Sequence, residues 1–361
     1  MLEDKSRVLV SVAIIGFSCL LIGLGISMKA AFDGMVDKQI SDVNRYDFRI
    51  DLNEEISEKE ANALLDEMKK NELSYMPASV EMKLYVWDNK VDGLQMICAD
   101  PGRIAEFYGV KDAETGKDME LPRDGVLIQK RMHESYDMNT GDKLPVLSDD
   151  LSISELEIKG YFVNYAGRAV VLTPEAYRKA FGKQPENSSY FVRLNGKDRK
   201  DIEKTLLGVT DNISIAENDE FKSKFESAMN LYNLLVLVTT SIAIFISFMI
   251  LTNLANIYLV RKKTELSVMR VNGFSIRQTK AYLVRESVVT TIAGILLGVG
   301  VGALLSPALI GSMQQPDLEF VKSFQPYAWL AAAGLEAVFA VLINYVVFRK
   351  VKDLNLRDIA G

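Results

Sequence analysis

The chain has 361 residues, of which 48% are hydrophobic and 25% are charged, and its formal net charge is −6. These averages resemble those of an ordinary soluble protein, but the apolar residues are concentrated in four runs that together contain one charged residue, Glu336. A helix needs about 20 apolar residues to cross a bilayer, so the runs exclude a soluble enzyme. They are Val8–Met28, Leu231–Val260, Ser287–Pro316 and Tyr327–Phe348.

The first element, residues 1–28, is predicted to be a short cytoplasmic N-terminus followed by transmembrane helix 1. Its uncharged core, Val8–Met28, is longer than the roughly 7–15 apolar residues of a signal peptide. We therefore expect this helix to remain as a membrane anchor.

Two amphipathic stretches join the next domain to the membrane. In residues 29–45 and in the first part of residues 217–260, apolar side chains recur at helical spacing. They predict a two-helix stalk. The alternative is that the two helices pack under the domain and have no mechanical role. The stripe residues are Phe32, Val36, Ile40, Phe221, Phe225 and Met229.

Residues 46–216 are predicted to form a mixed α/β domain outside the membrane. β-α-β patterns occupy 46–87 and 190–216, and Ser57 with Glu60 forms a capping box that starts the first helix. The part between them, about 93–188, is rich in short strands punctuated by turn residues. The simplest architecture is a base built from both ends of the segment, with a β-rich insert.

The distribution of charged residues along the chain predicts its orientation in the membrane, and the apolar runs divide its C-terminal part into spans and loops. Segment 29–230 has 28 basic and 39 acidic residues, whereas basic residues adjoin the predicted span ends at Lys5, Arg261 and Arg349. By the positive-inside bias both termini are cytoplasmic and 29–230 is outside a bacterial cell membrane. The predicted order is transmembrane helix 2 (to residue 260), a cytoplasmic loop (261–285), transmembrane helix 3 (286–311), an outer loop (312–326), transmembrane helix 4 (327–348) and a cytoplasmic tail (349–361).

The motifs of common enzymes are missing from the sequence. There is one histidine, His133, which we expect to be a solvated surface residue, and the phosphate-binding pattern GxxxxGK[ST] does not occur. We therefore predict no catalytic residue, no metal ligand, no cofactor and no nucleic-acid partner. Any energy for driven work has to come from another chain.

The loop after the second span has a pattern typical of a docking element. Glu265–Arg270 is predicted to be a short helix with Thr264 as its cap and Asn272-Gly273 as the turn that ends it. Its apolar residues suit a groove on a partner protein. The alternative is anchoring at the interface, with the basic residues on anionic lipid.

This loop resembles the signature of FtsX-like permeases, the membrane subunits of the MacB, LolCDE and FtsEX type of ABC system. The matching pattern runs from Arg261 through Glu265-Leu266, Val268-Met269-Arg270 and Gly273 to Ser275, and the glycine-rich third span also fits. The layout of one span, a large outer domain and three further spans covers the whole chain. The outer domain is similar to the porter-like base and insert of MacB-like domains.

The resemblance implies a mechanism of mechanotransmission without a catalytic site in this chain. A cytoplasmic ATPase dimer binds ATP and contacts the loop, and its closure moves the spans and, through the stalk, the outer domain. A second permease copy or a related permease completes a homo- or heterodimer, and the outer domain has a possible envelope partner. The residues implied to form the coupling loop are Thr264, Glu265, Leu266, Val268, Met269, Arg270 and Gly273.

Two further features lie inside the predicted bundle. Gly294, Gly298 and Gly302 allow close helix packing, within the bundle or at a dimer seam. Glu336 is an intramembrane acid that should face protein or water, and hydrogen bonding to Asn253, Asn256 or Thr240 would satisfy it.

The predicted fold is thus a four-helix membrane bundle with an extracytoplasmic α/β domain on a stalk. The function it favours is an ABC permease subunit for export, extraction or regulation of an envelope process. The alternative is an ATP-independent membrane receptor or regulatory protein whose outer domain binds a ligand or a wall hydrolase.

Overall fold

The computed structural model describes residues 2–218, 223, 227, 230–322 and 325–352, and the chain divides into two compact units. The helical unit comprises Met1–Asp33, Met229–Met313 and Val321–Gly361. The α/β unit comprises Gly34–Ala228 and Gln314–Phe320. The second unit therefore takes in a short piece of the predicted outer loop.

Four long helices contribute to the helical unit: α1 (Leu2–Lys38), α7 (Asn230–Val271), α8 (Ile276–Ser312) and α9 (Pro326–Lys352). Among the described residues, three helical stretches are long and apolar enough to cross a membrane, namely Val8–Val43, Ser287–Ser312 and Pro326–Ile343. In α7 the corresponding apolar stretch is the shorter Leu234–Met249. Several side chains of the second predicted span, including Ile250, lie outside the description, and four spans stay a prediction.

The base of the α/β unit is an antiparallel sheet with two helices. Its chain order is β1 (Phe48–Leu52), α2 (Glu58–Lys70), β2 (Ser74–Trp87), β8 (Ser189–Arg193), α6 (Arg199–Leu207) and β9 (Ile213–Glu217), and its strand order is β2-β8-β1-β9. Apolar residues of α2 and α6 are buried with Phe48, Ile50 and Val192 of the sheet. Both predicted β-α-β patterns are confirmed, and their first strands, β1 and β8, pair with each other.

Local capping sets the helix starts in this base. The Ser57 side chain accepts from the Glu60 backbone amide, and the Glu60 carboxylate accepts from the Ser57 amide at 2.8 Å. Asp198 caps α6 by accepting from the Asp201 amide. Each cap satisfies amides that the first helical turn leaves unpaired, and the cap at Ser57 is the one that the sequence predicts.

The inserted part is a closed six-stranded barrel. Its other strands and helices are β3 (Lys90–Ala99), α3 (Ile104–Phe107), β4 (Val126–Gln129), α4 (Lys130–Tyr136), β5 (Lys143–Leu147), β6 (Ile153–Phe162), β7 (Ala169–Leu172) and α5 (Pro174–Phe181). The pairings run β2-β3-β7-β4-β6-β5 and return to β2. β2 belongs to both parts, since Ser74–Ala78 pairs with β8 and its later residues pair with β3. A filled interior that includes Tyr85, Ile128 and Leu156 stabilises the ring.

Candidate functional site: the coupling turn and its connections

The predicted coupling segment continues α7 and does not form a separate short helix. α7 runs unbroken from Asn230 to Val271, so the prediction of Thr264 as an N-cap is wrong. Residues 261–263 are Arg-Lys-Lys, and these good helix formers, with no Gly or Pro beside them, let the helix propagate. The coupling segment is therefore rigidly joined to the predicted second span.

The end of α7 is the sharp turn that the sequence predicts. Gly273 has a φ of +85°, a left-handed value that favours glycine. The Phe274 amide donates to the Met269 carbonyl at 3.1 Å, the bond of a Schellman motif. Ser275 then forms a capping box with Gln278 and starts α8. Four residues, 272–275, therefore connect α7 to α8.

Burial divides the coupling segment into two faces. Leu266 is 1% exposed and Ser267 is 6% exposed, so these residues pack into the protein. Thr264 and Glu265 are exposed and Met269 is half-buried. The Arg270 side chain lies outside the described part.

The turn leaves three large apolar side chains in solvent. Val268 is 54% exposed, Val271 is 72% exposed and Phe274 is 45% exposed. Of these, Val271 and Phe274 were not among the predicted coupling residues, although they stand beside the same Asn-Gly turn in the sequence. We call Val268, Val271 and Phe274 the coupling turn surface.

The glycines of α8 pack inside the helical unit. A Cβ atom at Gly294 would lie 2.6 Å from Ile15 Cβ, and one at Gly298 would lie 2.5 Å from the Gly16 carbonyl oxygen. Both contacts are with α1. Real Cβ atoms do not approach so closely, so these positions bring α1 and α8 together only as glycine.

Gly302 faces a different partner, the indole ring of Trp329 on α9. A Cβ at Gly302 would overlap that ring, and so would a Cβ at Gly23 of α1. Trp329 is 2% exposed. The indole therefore fills a gap that depends on glycines in two other helices.

Glu336 is fully buried in the helical unit. Its Oε2 accepts from the Ser247 hydroxyl at 3.1 Å, and the Ser18 hydroxyl donates to Ser247 Oγ. This chain joins α1, α7 and α9 through polar groups. The acid faces protein as expected, but its partner in the structure is Ser247 and not Asn253, Asn256 or Thr240.

Of the two predicted stalk stretches, the structure describes the stripe residues of the first one only. Phe32 and Val36 on α1 are buried and Ile40 is half-buried. Phe221, Phe225 and Met229 lie outside the described residues. α1 itself runs to Lys38 and is followed by a π-helical turn, Gln39–Val43.

One connection was not predicted, namely docking of the outer-loop segment Gln314–Phe320 within the α/β unit. Leu318 forms an isolated antiparallel β-bridge with Ala166. The Gly167 amide donates to the Asp317 carbonyl at 2.8 Å, and the Glu319 amide donates to the Tyr165 carbonyl at 2.9 Å. The apolar residues Leu318, Phe320 and Val321 in an otherwise polar loop were the sequence signal for this docking.

The same loop of the α/β unit, residues 164–167, is held by Gln39, the first residue of the π-helical turn that follows α1. Gln39 Oε1 accepts from the backbone amides of Tyr165 at 2.9 Å and Ala166 at 3.1 Å. Gln39 Nε2 donates to Asn164 Oδ1 at 3.0 Å. Two distant chain segments, one following α1 and one between α8 and α9, therefore bind the same short loop, residues 164–167.

His133 has a packing role that the sequence did not predict. Its ring is half-buried and stacks on Tyr161 with a centroid separation of 4.1 Å. Its Nδ1 lies 2.9 Å from the Met138 carbonyl oxygen, which can only accept. The prediction of a solvated surface histidine is wrong, because the barrel supplies both a stacking and a hydrogen-bonding partner.

Comparison with known families identifies the C-terminal third of the chain. Residues 237–356 match the family model described as FtsX-like permease C-terminal. The helical unit therefore contains a segment that is similar to the C-terminal domain of FtsX-like permeases, and the resemblance based on residues 261–275 is confirmed. Comparison with curated proteins gives no match.

Two solved structures are similar to the α/β part at low sequence identity. The periplasmic region of MacB from Actinobacillus actinomycetemcomitans is 13% identical, with a TM-score of 0.33, and the match covers 53% of this chain and 97% of that one. The extracellular domain of the noncanonic ABC-type transporter YknZ from Gram-positive bacteria is 13% identical, with a TM-score of 0.30, covering 47% of this chain and 100% of that one.

Proposed function

We propose that this chain is the permease subunit of an ABC system and transmits the work of a separate ATPase. ATP is bound and hydrolysed by a cytoplasmic ATPase dimer, and the permease couples that cycle to movement of its α/β unit. The process served is export, extraction or regulation in the cell envelope. Two copies, or this chain and a related permease, face the ATPase dimer.

The observation that carries the proposal is the coupling turn surface. Three large apolar side chains project into solvent at a rigid turn, inside the segment matched by the FtsX-like permease model. Exposed apolar residues clustered in this way are typical of protein interfaces. The uninterrupted α7 supports a direct transfer of force, since a push on the turn acts on one end of a helix about 63 Å long.

Two covalent connections between the predicted spans and the α/β unit support the transmission of movement from one to the other. α1 continues without a break from the predicted first span to Lys38. The segment Gln314–Phe320 belongs to the α/β unit and is joined in sequence to α8 and α9. Displacement of the spans would thus reach the α/β unit through the first span and through the loop between the third and fourth.

The charge pattern supports the orientation we propose. Arg261, Lys262 and Lys263 precede the coupling turn surface, whereas segment 29–230 has 39 acidic and 28 basic residues. The bias of basic residues toward the cytoplasm supports an orientation with the turn inside and the α/β unit outside a bacterial cell membrane.

The test is ATPase stimulation in reconstituted membranes. The full chain, purified together with an ABC ATPase from the same genome, is compared with Val268→Asp and Phe274→Asp. We expect both variants to lose co-purification and at least about tenfold of the stimulated ATPase rate, since a carboxylate in an apolar contact costs more than 1.4 kcal/mol. These residues are exposed, so the variants should fold.

Leu207→Asp is the matched control, because Leu207 is similarly exposed, at 46%, on α6 of the α/β unit. It should bind the ATPase and stimulate it like the wild type. If Val268→Asp and Phe274→Asp also behave like the wild type, the turn is not the coupling element. If no ATPase stimulation is found with the wild type, the alternative of an ATP-independent receptor or regulator is favoured.

A further inference from the structure

The α/β unit buries five amide side chains close to the segments through which the chain enters and leaves it. The chain passes between the two units four times, after Asp33, after Ala228 and at both ends of Gln314–Phe320. A buried amide is costly unless it is hydrogen-bonded, so a group of them indicates a specific arrangement. We call the following residues, which are 0–8% exposed, the amide node: Gln39, Asn44, Gln129, Asn164 and Asn218.

The first segment joins the amide node through the π-helical turn that follows α1. Besides accepting from the two loop amides described above, Gln39 donates through Nε2 to Asn164 Oδ1 at 3.0 Å and to Asn44 Oδ1 at 3.3 Å. The backbone of the turn is held as well, because the Gly109 amide donates to the Val43 carbonyl at 2.8 Å. The segment that follows α1 is therefore fixed to the α/β unit by side chain and main chain together.

The second segment joins the amide node at the end of β9. Asn218 is the residue after β9 and precedes the passage of the chain to α7. Asn44 Nδ2 donates to Asn218 Oδ1 at 3.1 Å, and Asn218 Nδ2 donates to the carbonyls of Asn44, at 3.3 Å, and of Tyr46. The segments that lead from α1 and toward α7 are thus bonded to each other inside the α/β unit.

The third segment, Gln314–Phe320, reaches the amide node through the backbone of the 164–167 loop on which it docks. Asn164 Nδ2 donates to two carbonyls of that loop, both at 2.9 Å, and so fixes its shape. Gln129, on β4 of the barrel, donates through Nε2 to the Asn164 carbonyl at 3.0 Å. The docking loop is therefore anchored to a core strand of the barrel.

The bonds of the amide node form one continuous chain. Its order is Gln129, Asn164, Gln39, Asn44 and Asn218. An amide has one acceptor oxygen and two donor hydrogens, so each link has a defined direction. Away from water such bonds are strengthened, and losing one leaves a buried polar group unpaired. The three segments are thereby held in one fixed arrangement.

We propose that the amide node is the place where movement enters the α/β unit, and that it compels the three segments to move together. This inference rests on the proposed function, because it says where the transmitted work arrives. Gln39 is the central positioning residue, since it links the Asn218 side of the chain to the loop that docks the third segment. A displacement of one segment then reaches the others through a contiguous hydrogen-bond network.

The first test needs no ATPase. Hydrogen exchange is measured by mass spectrometry with residue resolution on the full chain in nanodiscs, for the wild type and for Gln39→Met, which removes the amide at similar volume. The amides of Gly167 and Glu319 bond to Asp317 and Tyr165, and not to Gln39. We expect their exchange to accelerate at least about tenfold in the variant, because the loop that carries these bonds loses its support.

Asn71→Leu is the matched control, because it removes an amide whose Nδ2 donates to Glu67 within the end of α2. It should leave the exchange of Gly167 and Glu319 unchanged. The Ile50 amide in the base sheet is the internal reference. Equal acceleration at all three positions in Gln39→Met would mean general destabilisation, and no acceleration would mean independent segments. Either result overturns the proposal.

Asn218→Leu is a second variant at the other end of the node. It should accelerate the exchange of the same two amides, Gly167 and Glu319, relative to Ile50, although Asn218 is joined to their loop only through Asn44 and Gln39 among the bonds of the node. It decides the question if Gln39→Met does not fold. An unchanged ratio in Asn218→Leu would overturn the coupling of the second segment to the third.

The second test places the amide node in the proposed cycle. In the complex with the ABC ATPase, trapping with ATP and vanadate should change the exchange of residues 164–167 in the wild type. Gln39→Met should lose that change and keep the stimulated ATPase rate, because the coupling turn surface is unaltered. Loss of both, or persistence of the change, would overturn the proposal. If the wild type shows no stimulation, the proposed function fails, whereas the first test still decides whether the three segments move together.

Discussion

At the scale of single residues, the glycines of α8 offer a direct contrast. Gly302 and Gly300 are both helical, but a Cβ at Gly302 would overlap Trp329 whereas one at Gly300 meets open space. Gly302→Ala should destabilise the protein by about 1–3 kcal/mol through overpacking. Gly300→Ala should be neutral or stabilising by up to about 1 kcal/mol, because alanine is the better helix former.

The measurement is the thermal midpoint of both variants in the same detergent. A Gly302→Ala protein as stable as Gly300→Ala would contradict the packing of Trp329 against α8. The comparison is informative because the two substitutions differ only by position.

Glu60 gives the α/β unit a predictable response to acid. Hydrogen bonds from the Ser57 side chain and amide and from Thr210 lower the pKa of Glu60 from 4.5 to about 2. A lowered folded-state pKa contributes stability that is present above the unfolded value and is lost as the pH falls through the folded value. The wild type should therefore gain stability as the pH rises from about 2 to about 4.5.

Glu60→Gln should show a smaller gain over that pH interval in thermal unfolding. The control is Glu58→Gln, which removes a carboxylate from the same helical turn. Equal pH dependence of the two variants would argue against a special role for the capping box.

A third residue-scale prediction concerns the Ser18–Ser247–Glu336 chain. Glu336→Gln and Ser247→Ala both alter the same hydrogen bond, so their effects on stability should not add. We expect a coupling energy of about 0.5–2 kcal/mol in a double-mutant cycle of unfolding in detergent, the range of interhelical hydrogen bonds in membranes. Strict additivity would mean that Ser247 does not contact the acid.

At the scale of elements, the sequence predicts what is locally determined. Ser57 begins its helix and Gly273 ends one, as predicted, because capping depends on residues within one turn. The unbroken helix through Thr264 could not be inferred from its capping preference, since the tertiary packing of Leu266 and the preceding helix formers outweigh it.

The other features that the sequence did not predict depend on pairing between residues far apart in the chain. Short strands in the insert were evident, but closure of the barrel depends on β5 reaching β2 through the single pair Tyr85 and Val146. Likewise, nothing adjacent to Leu318 in sequence indicates its bridge to Ala166. Such contacts depend on three-dimensional register and not on a local pattern.

The bridge between Leu318 and Ala166 can be tested by cross-linking. Antiparallel bridge partners have Cα atoms about 4.5–5.5 Å apart, within the range that a disulfide spans. The variant with Ala166→Cys and Leu318→Cys should therefore form an intramolecular disulfide on oxidation, detected by a mobility shift that reductant reverses. Either single substitution serves as the control, and a pair that stays reduced would contradict docking of this segment.

At the scale of the whole molecule, the sign of charge and the type of surface change together along the chain. The acidic α/β unit has an aliphatic row on its barrel, and the basic 261–263 stretch precedes an apolar turn. The basic stretch beside the coupling turn surface favours an acidic partner at that turn, since complementary charges steer association.

The proposed orientation predicts which positions are reachable from outside the cell. Lys117 is exposed in the α/β unit and Arg277 is exposed in the first turn of α8. The native thiols should not interfere, because Cys19 and Cys98 are buried and burial raises the pKa of Cys98 to about 12. In intact cells a membrane-impermeant maleimide should label Lys117→Cys and spare Arg277→Cys, and permeabilisation should expose both. The reverse pattern would invert the topology and place the coupling turn surface out of reach of a cytoplasmic ATPase.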